Sequence, residues 1–282
     1  MKRLLVGLLS VGLLAACASP MAKAETPQQA LAATVLRAGQ LHSAKFDLQG
    51  HVNLTFPPQL ASMFAQSGTT SGSFALDLTG NGEAQFPDRY HATINAKLAG
   101  VSVGSEVISI GSTAYVKNPL TGKWTASTVP GGIASQFSQP DPLSYTQLLA
   151  NVKSIKDLGD TTLDGTTVHH YQLVPDKAKL EASVKAGSSA KTAQAQAALK
   201  QVLDSGTMTV EVWFGKDDHL VRRLMTDADY HLDLSQLMGS IGATAPRSSA
   251  VPAGSNIHAT AHMVINYHDF DSQVTISIPT IQ

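Results

Sequence analysis

Cysteine is almost absent from this 282-residue chain: Cys17 stands alone. A single thiol excludes an internal disulfide, so the fold has to rest on packing. Aromatic residues make up only 6%, which predicts an interior of mainly aliphatic side chains. An excess of one charge is also missing, with 20 Lys and Arg against 21 Asp and Glu. That balance removes nucleic acid from the expected partners. Gly100-Val101-Ser102-Val103-Gly104 spells Gly-x-Ser-x-Gly, but it lies in a run of alternating strand character rather than between a strand and a helix, so it does not read as a nucleophile elbow. There is no short-period repeat. Residues 239–256 hold few large apolar side chains and read as a loop.

What is present begins at the N-terminus. Lys2 and Arg3 precede an apolar run, Leu4 to Ala16, that is too short to span a bilayer and reads as a secretory signal peptide. The run ends in Leu14-Ala15-Ala16-Cys17, which resembles the lipobox of bacterial lipoproteins. The resemblance implies cleavage before Cys17 and attachment of a diacylglyceryl group to its sulfur. Residues 1–16 are then a signal peptide and residues 17–26 a lipidated tether. Loss of Lys2 and Arg3 leaves 18 basic against 21 acidic residues, a formal charge near −3.

The remaining 27–282 reads as a single domain rich in strands. Thr26 and Pro27 form a helix-start signal, and Ala30, Leu31, Thr34, Val35, Ala38 and Leu41 recur at helical spacing. KFDLQGHVNLTF then alternates without a break: Phe46, Leu48, Val52, Leu54 and Phe56 on one side, Lys45, Asp47, Gln49, His51, Asn53 and Thr55 on the other. Further alternating segments place Phe74, Leu76 and Leu78 together, then Ile94 with Leu98, then Val210 with Val212, then Met263 with Ile265. Asn81-Gly82 with Pro87, and Asp164-Gly165, mark turns. Residues 57–70 form an insertion, residues 140–155 read as a second helix, and residues 176–204 as a third, broken at Gly187. IHATAHMVINYHDF and VTISIP predict two closing strands.

Long strands with one oily and one wet face do not build a doubly wound sheet, whose strands are apolar on both faces. They predict an α+β fold: a large curved antiparallel sheet, a half-barrel, wrapped around two to three helices. The oily face must be covered by helices, by closure of the sheet on itself, or by something other than protein.

YVKNPLTGKW (115–124), LGDTTLDGTTVHHYQL (158–173), VEVWFGKDDHLVRRLMTD (210–227) and NYHDFDSQVTISIP (266–279) resemble, in order, the exported lipoproteins of the LppX/LprG type, whose fold is related to LolA and LolB. The chain departs from that pattern at 57–70 and 239–256. The resemblance implies an apolar cavity for acyl chains, no catalysis and no cofactor. Partners are then lipid or glycolipid, the membrane reached through Cys17, and a membrane transporter. The place is the cell envelope, on the outer face of the cytoplasmic membrane, or the periplasm or outer membrane where a second membrane exists. The candidate wall is Phe46, Leu48, Val52, Leu54, Phe74, Leu76, Leu78, Ile94, Leu98, Val210, Val212, Met263 and Ile265. The alternative is a membrane-anchored binding or scaffold module of an envelope complex, with the oily face covered by its own helices and no lipid cargo.

Ten histidines raise the question of a metal. His258 and His262 are four apart, about 13 Å along a strand, too far to share an ion. His169 and His170 point to opposite faces. No metal site is expected from these spacings. Asp217-Asp218 reads as a solvated hairpin turn, and Arg222 and Arg223 are candidates for an anionic headgroup.

Overall fold

The computed structural model describes residues 25–57, 72–98, 100–128, 144–186, 200–233 and 255–281. Eleven antiparallel strands form one open, curved sheet with few helices. Chain order gives α1 (Pro27–Ala38), β1 (Ser43–Thr55), β2 (Ser73–Gln85), β3 (Arg89–Leu98), β4 (Val101–Ile110), β5 (Thr113–Lys117) and β6 (Trp124–Thr128). There follow α2 (Ser144–Ala150), β7 (Val152–Leu163), β8 (Thr166–Pro175), α3 (Lys177–Ala186), β9 (Gly206–Gly215), β10 (Val221–Asp233) and β11 (Asn256–His268). The spatial order is β6-β5-β4-β3-β2-β1-β11-β10-β9-β8-β7. Two meanders therefore run outward from a central seam, where β1 pairs with β11.

Helix α1 starts as the sequence predicts. Thr26 Oγ1 accepts from the Gln29 amide at 3.3 Å, and Gln29 Oε1 accepts from the Thr26 amide at 3.0 Å, a reciprocal cap with Pro27 in the first turn. Ala30, Leu31, Thr34 and Ala38 are buried, and the helix packs beside α2 and β7. Its far end is tied to the turn after β11: Arg37 Nη2 donates to Asp271 Oδ2 at 3.2 Å, and the His42 amide donates to Asp271 Oδ1 at 2.8 Å. The core beneath joins Ala30, Leu31 and Leu149 of the helices to Phe46, Tyr171, Leu173, Val210, Val212, Phe214 and Tyr267 of the sheet.

Three expectations need correction. Asn81-Gly82 is not a turn; it lies inside β2, and the turn is at residues 86–88. Gly82 is required by packing: a Cβ there would meet the Phe46 ring at 2.5 Å and the His91 carbonyl at 2.6 Å. The second helix ends at Ala150 rather than continuing to 155, because Val152 already begins the ladder with β8. VTISIP alternates like a strand, with Val274 and Ile276 buried, yet joins no ladder. It lies across the sheet's other face against Ile108 and Tyr115, with Ile110 and Trp124 alongside, and the Ile276 carbonyl accepts from Arg89 Nη1 at 3.0 Å. Period-two alternation reports which residues are covered, not what covers them. The predicted insertion at 57–70, the break at Gly187 and the loop before Ser255 lie outside the described residues, apart from Pro57.

The exposed edge at β7 is protected by its own sequence. Lys153, Lys156, Asp157 and Asp160 line it, and register shifts at Val152/Ser154 and Asp157/Gly159 interrupt the ladder. Charges and bulges of this kind oppose pairing with a second chain.

Candidate binding face

Residues directly opposite one another in a ladder share a face. The registers Leu48↔Ile265, Gly50↔Met263, Val52↔Leu76, Leu54↔Phe74, Gly50↔Leu78, Leu76↔Leu98 and Gly80↔Ile94 join the predicted wall across β1, β2, β3 and β11. Leu224↔Ile265 with Leu224↔Val212, and Thr226↔Met263 with Thr226↔Val210, carry it through β10 to β9. Phe46 is on the same side of β1. All thirteen predicted residues thus lie on the face that carries the helices, the inner face.

They are not equally covered. Phe46, Leu78, Val210 and Val212 are buried. Leu48, Val52, Leu54, Phe74, Leu76, Ile94, Met263 and Ile265 are half-buried. Leu98 is 45% exposed and continues through its partner Val101, 64% exposed, to Val103, 46% exposed. The inner face therefore runs from a packed core beneath α1 and α2 to an oily strip at the β3–β4 end. Val101 and Val103 extend the strip beyond the residues named from the sequence. An apolar cleft of about 80 Å³ opens beside Leu180, Leu203, Met208 and Tyr230, where α3 meets β9 and β10. Burial raises the hydroxyl pKa of Tyr230.

Away from the patch under Val274 and Ile276, the outer face is polar. Every one of the ten histidines has a carboxylate oxygen within 4.0 Å. On this face His51 meets Asp77 at 2.6 Å, His262 meets Asp227 at 2.7 Å, His258 meets Asp229 at 2.8 Å and His170 meets Glu211 at 2.7 Å. Glu106 is held below the usual carboxylate range by the Lys117 ammonium at 2.9 Å, with His91 at 2.9 Å adding to it. A polar groove of about 310 Å³ crosses β1, β11, β10 and β9 between His51, His262, Asp227 and Asp229. Periodicity along single strands gave no sign of these pairs, because each joins neighbours across a ladder.

The other residues singled out have ordinary partners. Arg222 pairs with Asp218 in the hairpin turn. Arg223 Nε donates to Asn266 Oδ1 at 2.7 Å, and its guanidinium lies over Trp213. Both arginines are engaged by the protein itself. Trp213 stacks on His170 at 4.1 Å, and Trp124 sits under Lys117. No helix among the described residues is long and apolar enough to cross a membrane. Cys17 lies outside the described residues.

No family model matches the chain, and no curated protein matches it. Solved structures do. LprF from Mycobacterium bovis is 15% identical, with 89% of this chain and 96% of that one aligned and a TM-score of 0.43. LppX from Mycobacterium tuberculosis is 14% identical, with 89% and 100% aligned and a TM-score of 0.43. A LolA superfamily protein from Nitrosomonas europaea is 8% identical, with 89% and 96% aligned and a TM-score of 0.26. These structural neighbours are of the kind the sequence motifs resemble.

Proposed function

We propose that the chain is an exported lipoprotein, anchored through Cys17, that binds or carries a lipid or glycolipid by its acyl chains along the inner face, without catalysis. The observation that supports it is the oily strip from Leu48, Val52 and Leu54 through Phe74 and Leu76 to Leu98, Val101 and Val103, which the described helices leave partly in solvent. Each methylene moved from water to such a surface gains about 0.8 kcal/mol, so two or three acyl chains bind well with no polar chemistry. The headgroup then remains free to meet water, a membrane or a transporter.

The diacylated cysteine supplies two chains, enough for stable attachment in the cell envelope. Cys17→Ser moves the protein out of the membrane fraction, and its retention there overturns the anchor. Native mass spectrometry of the Cys17→Ser protein tests the cargo. Co-purifying lipid is expected, and it is lost in the double variant Val52→Asp, Leu76→Asp. A chain that emerges free of lipid and takes up none from vesicles is instead the scaffold module.

A further inference from the structure

We propose that Asp229, His231 and His258 form a binding site for a divalent metal of the zinc type on the outer face of the sheet. The fold brings them together across a ladder. Asp229 and His231 are two apart on β10 and so share a face, and His258 of β11 lies directly opposite His231. Asp229 Oδ1 is 2.8 Å from His258 Nε2 and 3.8 Å from His231 Nδ1. The two imidazoles stack at 4.5 Å with 17° between their planes. Among the described residues this is the one group of three such side chains whose ligand atoms all lie within 4.8 Å of one another.

Tetrahedral zinc with ligands at about 2.0–2.1 Å has ligand–ligand edges of about 3.3 Å. The two distances from Asp229 bracket that value, so a small rotation of exposed rings closes the site. Two imidazoles and one carboxylate select borderline metals over Mg²⁺ or Ca²⁺, which prefer all-oxygen sets. Three protein ligands leave a fourth position for water or an incoming group. The side chains are 53%, 67% and 41% exposed, so an ion reaches them directly. Their backbones are fixed by β9 and β1, which flank β10 and β11. The neighbouring pairs His51–Asp77 and His262–Asp227 have one imidazole and one carboxylate each and serve as internal controls. The proposal is independent of the lipid reading, because it concerns the opposite face.

The test is calorimetric titration of the untagged full chain in detergent with ZnCl₂, with MgCl₂ in parallel. One saturable zinc site per chain is expected, and no response to Mg²⁺. His231→Ala and His258→Ala each weaken zinc binding by about tenfold or more, Asp229→Asn weakens it while conserving shape, and His51→Ala leaves it unchanged. Absence of saturable zinc uptake overturns the proposal, as does uptake that persists undiminished in the His231→Ala, His258→Ala double variant. Far-UV circular dichroism matching the parent confirms that each loss is local.

Discussion

Gly82 shows how one missing methyl decides the packing of the inner face. The Phe46 ring occupies the space where a side chain of β2 would stand, and the His91 carbonyl closes the other side. Gly82→Ala therefore lowers stability by about 1–3 kcal/mol through overpacking, measured by urea unfolding. Phe46→Leu in the same chain recovers part of the loss and separates the ring clash from the backbone clash. Asp271 is a second single residue with a large reach. The His42 amide, with the Arg37 guanidinium adding to it, holds its carboxyl below the usual aspartate range. A carboxylate lowered on folding stabilises the native state above its unfolded pKa, and that contribution fades as pH falls through the folded one. Stability thus declines below about pH 4 in the parent, and Asp271→Asn flattens this decline in an acid-to-neutral unfolding series. Tyr171 works with the opposite sign. Burial, reinforced by Asp157, pushes its hydroxyl up to about 12, so its contribution is complete below pH 10 and is lost as pH rises toward that value.

The C-terminal segment is an element that sequence reading places correctly on a covered surface but assigns to the wrong partner. Val274 and Ile276 are buried on the outer face, over Ile108 and Tyr115. Ile276→Ala is expected to cost about 2–4 kcal/mol. In a Trp213→Phe background, the fluorescence of Trp124 shifts to the red as the segment loosens. The same distinction explains what the sequence revealed and what it withheld. The alternation of β1, β2, β9 and β11, the cap of α1 and the hairpin at Asp164-Gly165 are local signals, and each appears where predicted. The thirteen inner-face residues follow from alternation alone, since period two fixes a face. The histidine–carboxylate pairs, the place of Gly82 and the end of α2 depend on which strand lies beside which. No window along one segment contains that information.

Taken as a whole, the sheet carries its oily strip on the helix side, while the other side combines paired imidazoles and carboxylates with the apolar patch under Val274 and Ile276. Under the proposed function, lipid held on the inner face would stabilise the native state by mass action. Extraction with organic solvent therefore lowers the melting temperature, and re-addition of lipid restores it. In the Val52→Asp, Leu76→Asp variant the two melting curves coincide. Unequal curves in that variant would place the lipid elsewhere on the protein.

The seam between β1 and β11 has a consequence for biogenesis. Lys45 meets His268 across it, so β1 waits for a strand made 223 residues later. Joining such distant segments is slow, because chain entropy is lost before the contact rewards it. Until β11 emerges, the meander of β1 to β6 carries an unfinished edge and an oily side open to association. Under the proposed export, this delay would help: the chain would stay pliable during passage and lock only once β11 has arrived.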